Sequence, residues 1–393
     1  MTKKGLCLRV ALVILSFSII GCSNASREKK ADLGEICLGV NLELSGKYGS
    51  TGALALSGMK MAIQEVNEKG GIRGLPVRLV VGDNKSDPAI ALTIFEQQVK
   101  NEHVVAVLGP KNSDTAISLG QRAGELKTPF IATNATHPRV TLDDSGRTKP
   151  YAFRACFTDP FQGTAMAAFA SARLNAKRAA LYVDASSEYS QGIGSFFERE
   201  FIKRGGVIVY KSEYRGGEAD FGKIKEELKD DNVELVFIPG FSIDVSRFIP
   251  QARRAGFAGP IVGGDAWDID TIRQLIGDSH LKNLFYADMF SVDDDNIRVT
   301  EFKQRFMKLS EGRMPNAAAV LGYDAALVLL DAVKRADSVT GEGIRAALEQ
   351  TKDIPGVSGT ISLNRKHDVE NSIIVMGVAN GKSVFLERSE AGH

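Results

Sequence analysis

The sequence predicts an α/β protein built from two doubly wound parallel-sheet lobes, and three observations carry that reading. First, short apolar runs rich in β-branched residues alternate with stretches of helical periodicity, the pattern of parallel strands joined by right-handed crossovers. Second, these runs begin near positions 36, 75, 104, 129, 179, 207, 233, 260 and 282 of a 393-residue chain, too many for one sheet of ordinary width. Third, two neighbouring runs end in small polar residues. Residues 104–108 give way to Gly109-Pro110-Lys111-Asn112-Ser113-Asp114-Thr115, and 129–132 to Thr133-Asn134-Ala135-Thr136. A strand, a short polar loop and a helix N-terminus bring unpaired N–H groups to the carboxyl edge of a sheet, where open α/β folds hold ligands. Ser113 is the candidate hydroxyl there; a plain helix cap by Ser113 or Asp114 is the structural alternative.

The chain begins with an address. Residues 1–21 read as a signal peptide: Lys3, Lys4 and Arg9 make a charged start, and 10–20 is an apolar run too short to span a bilayer stably. Its end, Ile19-Ile20-Gly21-Cys22, resembles the lipobox of bacterial lipoproteins, which makes Cys22 the expected lipidated residue. An ordinary secretory signal with an incidental cysteine is the alternative. Residues 22–34 are largely polar and charged, as a tether between membrane and first strand requires. No later apolar run is long enough to cross a membrane, so the expected setting is extracytoplasmic, anchored by lipid to a bacterial membrane. The formal charge is +1, and removing the three leader cations leaves −2, which argues against a nucleic-acid or polybasic membrane surface. Of four cysteines, Cys7 leaves with the leader and Cys22 takes lipid. Cys37 and Cys156 fall in expected strands, as buried thiols or as one disulfide. The five histidines are scattered without metal-ligand spacing, and no cofactor is expected.

The elements follow in order. Residues 36–42 read as a strand, and apolar positions 55, 56, 59, 62, 63 and 66 form a helical stripe that ends at Gly70-Gly71. A strand over 75–81 precedes Asp87-Pro88, an N-cap with proline at the first helical position, for a helix to about Val99. A boundary falls at 150–159, where an extended stretch over 151–157 follows a loose loop and Asp159-Pro160 starts a fresh helix. After 286 the pattern turns to helices at 295–309 and 317–336, then to short strands at 359–363 and 371–378.

Signatures of catalysis are missing. Gly192-Ile193-Gly194 lacks the third glycine of a dinucleotide fingerprint, and the chain has no Walker sequence and no Gly-x-Ser-x-Gly elbow. The expectation is a binding protein, not an enzyme.

Several stretches together resemble the periplasmic leucine/isoleucine/valine-binding proteins, the substrate-binding subunits of bacterial branched-chain amino acid importers. They are Leu44-Ser45-Gly46, Val66-Asn67-Glu68-Lys69-Gly70-Gly71-Ile72-Arg73-Gly74, the 83–88 stretch before a helix, Gly109 to Thr115, Phe153-Arg154 with Asp159-Pro160-Phe161-Gln162-Gly163, and Gln251-Ala252-Arg253-Arg254-Ala255-Gly256. The resemblance implies the type I periplasmic binding protein fold, two lobes joined by three crossover strands that close on a ligand by hinge motion. It divides the chain into 35–154 plus 287–357 for the N-terminal lobe and 155–286 plus 358–388 for the C-terminal lobe.

Carried over residue by residue, the resemblance puts Ser113 and Thr136 at a ligand α-carboxylate, with a backbone carbonyl of Asn134 nearby. It puts Asp265, in Gly263-Gly264-Asp265, against the ammonium, and Tyr189 and Phe241 where the second lobe closes over the ligand. The family often has an aromatic where this chain has Thr51, with Tyr48 three residues earlier, so the side-chain pocket departs from the pattern. A closing cleft desolvates a zwitterion, so each ligand charge needs a partner. Asp265 as a helix cap or as the partner of a hinge arginine is the other reading. Trp267 is a pocket wall or packing between lobes. The expected function is capture of an α-amino acid, aliphatic in the family pattern, by a monomer that delivers it to an ABC permease and its ATPase. A ligand sensor working with a signalling partner is the alternative.

Overall fold

The computed structural model describes residues 34–217, 221, 223–229, 232–369 and 372–389. The expected leader, the lipidation at Cys22 and the tether up to Leu33 lie outside these residues. The first sheet is built from β1 (Ile36–Leu42), α1 (Gly49–Glu68), β2 (Val77–Asp83), α2 (Pro88–Asn101), β3 (Ala106–Leu108), α3 (Ser113–Glu125), β4 (Phe130–Ala132) and β5 (Ala152–Arg154). Its strands run in the order β2-β1-β3-β4-β5, every pair parallel. The winding reverses between β1 and β3, and the carboxyl ends flanking such a reversal open a crevice.

Local chemistry explains the element ends. Helix α1 stops where Gly70 and Gly71 take φ of +93° and +77°, and the Gly71 N–H returns to the Val66 carbonyl at 3.0 Å. Asp87 caps α2, its carboxylate accepting from Ala89 N at 2.7 Å and Ile90 N at 3.1 Å, with Pro88 in the first turn.

The second sheet follows from α4 (Asp159–Ala172), β6 (Arg178–Asp184), α5 (Glu188–Lys203), β7 (Val207–Tyr214), α6 (Ile224–Lys229), β8 (Leu235–Phe237), α7 (Ser242–Arg254), β9 (Ile261–Gly263), α8 (Ile269–Ile276) and β10 (Leu284–Asp288). The chain then forms α9 (Ile297–Leu309), α10 (Ala317–Arg335), α11 (Gly341–Leu348) and the small pair β11 (Ile354–Pro355) and β12 (Thr360–Ile361). It ends with β13 (Ile373–Ala379) and β14 (Lys382–Ser389). The order is β14-β13-β10-β9-β8-β6-β7, parallel from β10 to β7, with β13 antiparallel to β10 and β14 antiparallel to β13.

Helix α10 packs tightly on α1 because glycine faces backbone at the crossing. A Cβ at Gly58 would sit 1.9 Å from the Ala319 carbonyl oxygen, and one at Gly322 would sit 2.2 Å from that of Ala55. The first core joins α1, α10 and α11 to β1, and the second gathers Phe157, Phe197, Phe201 and Phe237 around β6 and β8.

One expectation needs correction, one strand went unmarked, and one open alternative is decided. The boundary at 357/358 comes too early: Ile361, Leu363 and Val369 are buried in the first core, and the chain returns to the second sheet at Ile373. The cause is Asp324 on α10, whose carboxylate accepts from Val357 N at 2.8 Å, Ser358 N at 2.9 Å and the Ser358 hydroxyl at 2.6 Å. That side chain keeps the segment on the first lobe, a bond between residues far apart in sequence. The terminal β14, which the apolar pattern did not mark, has no fully buried residue, as suits an edge strand. Of the disulfide alternative, Cys37 and Cys156 are both free thiols, the first half-buried on β1 and the second buried past β5.

Candidate functional site between the lobes

Each candidate side chain sits at or just beyond the carboxyl end of a strand. Glu43 follows β1, Lys111 to Ser113 follow β3, and Asn134 and Thr136 follow β4. From the other lobe, Tyr189 comes after β6, Phe241 after β8 and Asp265 after β9. Lys111, Asn112, Ser113, Asn134, Tyr189, Phe241, Asp265 and Ala266 line one small cavity where the two sheet edges meet.

At the first-lobe edge the cap of α3 is Asn112, neither Ser113 nor Asp114. Its side-chain oxygen accepts from Asp114 N at 3.0 Å and Thr115 N at 3.4 Å. Ser113, 2% exposed, is thereby spared for the cavity, and its hydroxyl accepts from His137 N at 3.3 Å. Asp114 instead reaches across and accepts the Glu188 N–H at 3.0 Å, a direct bond between lobes. Burial pushes the Asp114 carboxyl upward, partly offset by that N–H.

At the second-lobe edge Asp265 neither caps a helix nor meets a hinge arginine. Helix α8 is capped by Asp268, which accepts from Thr271 N at 2.9 Å. The buried Arg154 pairs with Asp368 at 2.6 Å. Asp265 is held by Gln162: the amide Nε2 donates to its carboxylate at 2.9 Å, and the amide oxygen accepts from Asp265 N at 2.8 Å. Burial raises the Asp265 carboxyl, opposed by the Gln162 hydrogen bond and the Lys111 charge. Among the described residues no cation lies within ion-pair distance of it.

The remaining expected residues divide. Tyr48 packs tilted against Phe241 with ring centroids 4.6 Å apart, and Phe241 in turn lies 5.5 Å from the Tyr189 ring, so the three form one aromatic wall. Thr51 turns back on its own helix, donating to the Tyr48 carbonyl at 3.0 Å, and does not line the cavity. Thr136 is fully buried beside Asp159, whose N–H bonds the Thr136 carbonyl at 2.9 Å, and is also outside the lining. Trp267 is 3% exposed in the second-lobe core, stacked at 6.2 Å on Tyr286, and is no pocket wall.

Reasoning from sequence missed Lys111, Asn112 and Gln162. Lys111 carried a signal, being a cation inside the strand-to-helix loop. The Gln162–Asp265 pair, 103 residues apart, carried none.

A two-lobed binding protein with a polar cleft at its strand ends is the class that this geometry defines. A family model described as "Periplasmic binding protein" matches residues 35–382, and the chain belongs to that family of binding proteins. The crystal structure of a leucine-binding protein LivK from Thermotoga maritima superposes with a TM-score of 0.84 at 30% identity, covering 91% of this chain and 99% of that one. The branched-chain amino acid transporter substrate-binding protein LivJ from Streptococcus pneumoniae, in complex with isoleucine, gives 0.82 at 29% identity, covering 90% and 99%. Among curated relatives, Leu/Ile/Val-binding protein homolog 1 of Brucella abortus is 24% identical over 336 residues, 85% of this chain and 87% of its own length. No helix of the described residues is long and apolar enough to cross a membrane.

Proposed function

We propose that this chain is the extracytoplasmic substrate-binding component of an ABC importer, held to the membrane by a lipid on Cys22, and that it captures an α-amino acid between its lobes. The observation that carries the reading is the convergence of Ser113 at the N-terminus of α3 with the half-buried Asp265 of the other lobe in one cavity. The helix end and hydroxyl suit a carboxylate, and the carboxylate without a cation suits an ammonium. Relatives named for leucine, isoleucine and valine support an amino acid as the class of ligand. The permease and ATPase follow from the importer role of such relatives.

A thermal-shift and calorimetric panel of amino acids, amides and small carboxylates tests this, since a cleft ligand stabilises by mass action. Stabilisation by α-amino acids and not by carboxylates lacking an ammonium is expected. The reverse order sinks the amino acid assignment. For the anchor, Cys22→Ser is expected to leave the membrane fraction. Equal fatty-acid labelling of that variant and the wild type removes Cys22 from the lipid role.

A further inference from the structure

The cavity wall holds a charge that a simple zwitterion does not use. Lys111 lines it beside Asp265, and its Nζ lies 6.0 Å from the centroid of the Tyr48 ring, against the aromatic wall. Among the described residues no carboxylate comes within 4.0 Å of that ammonium and no hydrogen bond is made by it. Two of the neighbouring acids are already committed, and the third is the one assigned to the ammonium. Glu43 is fully buried and turns its two oxygens to the backbone, accepting from Lys111 N at 3.0 Å and Asn112 N at 3.1 Å. Asp268 accepts from Thr271 N and, at 3.3 Å, from the Asn316 amide. Asp265 is held by Gln162.

The contrast with Lys47 is direct. Lys47 lies on the same lobe and also against Tyr48, at 5.3 Å, yet its ammonium meets Asp184 at 3.8 Å and Asp244 at 3.7 Å across the cleft. Burial pushes the Lys111 amine downward, countered by Glu43, Asp265 and Asp268, so the site is built to welcome an added negative charge.

A count of charges decides the ligand. An aliphatic amino acid places its carboxylate at Ser113 and its ammonium at Asp265, and lays a hydrocarbon side chain beside the Lys111 ammonium. That strips water from a cation and returns nothing. A ligand with a second anionic group gives each charge in the cleft a partner.

We propose that Lys111 makes this cleft selective for an α-amino acid whose side chain carries an anionic group, with Lys111 as the specificity-determining residue. The inference rests on the amino acid reading above. Fold does not fix the ligand; the side chains at the strand ends do.

The test is isothermal titration of the wild type, Lys111→Met and Lys111→Arg with glutamate, aspartate, glutamine, leucine and glutarate. Wild type is expected to bind an acidic amino acid about 10- to 100-fold more tightly than leucine, the size of one charge-assisted hydrogen bond. Lys111→Met is expected to lose that margin by weakening the acid and leaving leucine unchanged or improved, and Lys111→Arg to retain most of it. Leucine binding the wild type as tightly as either acid overturns the inference and leaves the amino acid reading standing. So does glutamine matching glutamate, because the ammonium then reads no charge. An equal loss for all amino acids in Lys111→Met also overturns it, by placing Lys111 on the α-carboxylate. Glutarate binding with no amino acid binding overturns both readings. The wild-type panel decides the question even if Lys111→Met does not fold.

Discussion

The two faces of the cleft are made of opposite chemistry. Apart from Asp114 and the buried Glu43, the first lobe presents cations and donors: Lys47, Lys111, Arg139, Ser113 and the N-terminus of α3. The second lobe presents Asp184, Glu188, Asp244 and Asp265, with the rings of Tyr189 and Phe241. Within that complementarity two kinds of contact are distinct. Some pairs satisfy each other directly as the lobes meet: Lys47 with Asp184 and Asp244, Arg139 with Glu188 at 3.1 Å, and Asp114 with the Glu188 N–H. Others face each other without closing: Ser113, Lys111 and Asp265 share a cavity wall but form no pair within 4.0 Å. The first set joins the lobes, and the second is the set we propose a ligand takes. A closed form with ligand then differs from a closed form without it by the second set alone, which is what makes binding and closure separable by mutation.

Removing the charge of Asp265 is the sharpest way to break that division. Asp265→Asn keeps the shape and a hydrogen bond to Gln162, and deletes the charge proposed to meet an ammonium. Amino acid affinity is expected to fall by roughly 2–5 kcal/mol, with little change in the melting temperature of the unliganded protein. Calorimetric titration beside a melting curve separates the outcomes. If the variant melts several degrees lower and binds normally, Asp265 belongs with the structural acids such as Asp324, whose oxygens are filled by Val357, Ser358 N–H groups and a hydroxyl.

Next in size comes the lobe-to-lobe set. In Lys47→Met, the fully buried Asp184 and Asp244 side chains lose their shared cation in the closed form, while an open cleft hydrates both. Closure is expected to weaken by about 1–3 kcal/mol. The unliganded protein then scatters as a more extended particle, and ligand affinity drops for all ligands alike. Small-angle scattering gives the first quantity and titration the second. An unchanged scattering profile together with ligand-dependent losses places Lys47 among the ligand contacts.

How much of this was legible in the sequence depends on the range of each interaction. The Asp87-Pro88 start of α2, the Gly70-Gly71 end of α1 and the strand-to-loop transition after β3 are set by residues within a turn of each other, and spacing revealed them. The convergence of Ser113, Tyr189, Phe241 and Asp265 was legible only through the family resemblance, because periodicity locates strand ends without saying which ends meet. Asn112 defeated the local rule at α3: three adjacent residues, Asn112, Ser113 and Asp114, can all cap, and the choice falls to whichever is not drawn elsewhere. Ser113 is drawn to His137 and Asp114 to the other lobe. Gln162 was silent because its role is a contact between lobe elements 103 residues apart. The late return to the second sheet had the same cause, since Asp324 acts on Val357 and Ser358 from 33 and 34 residues away.

The smallest effect, a pH response, tests whether closure itself carries a proton count. His137 lies on the first lobe, in the turn before β5, with its ring near Gly192 of α5 in the second lobe. Burial lowers its pKa to about 4, only partly countered by Glu188, and the charges of Arg139, Arg154 and Lys149 push the same way as burial. The Asp159 carboxyl packs against the same Gly192. The His137 Nδ1 accepts from Arg139 N at 3.2 Å, an acceptor role that protonation removes. A cleft that opens returns the ring to water and its pKa toward the ordinary 6.5. The open and unfolded states therefore bind the proton that the closed state rejects. Closed-state stability is complete above about pH 6.5 and declines as pH falls from 6.5 toward 4. Since the ring keeps some exposure, the expected loss of ligand affinity between pH 7 and pH 5 is about 1 kcal/mol. His137→Asn keeps a capping oxygen for Arg139 N and has no proton to gain, so its affinity is expected to vary less over that range. Titrations of both proteins at pH 7 and pH 5 decide it. Equal pH dependence in the two assigns the proton to an acid of the cleft, with Asp265 first in line because its carboxyl is already raised by burial.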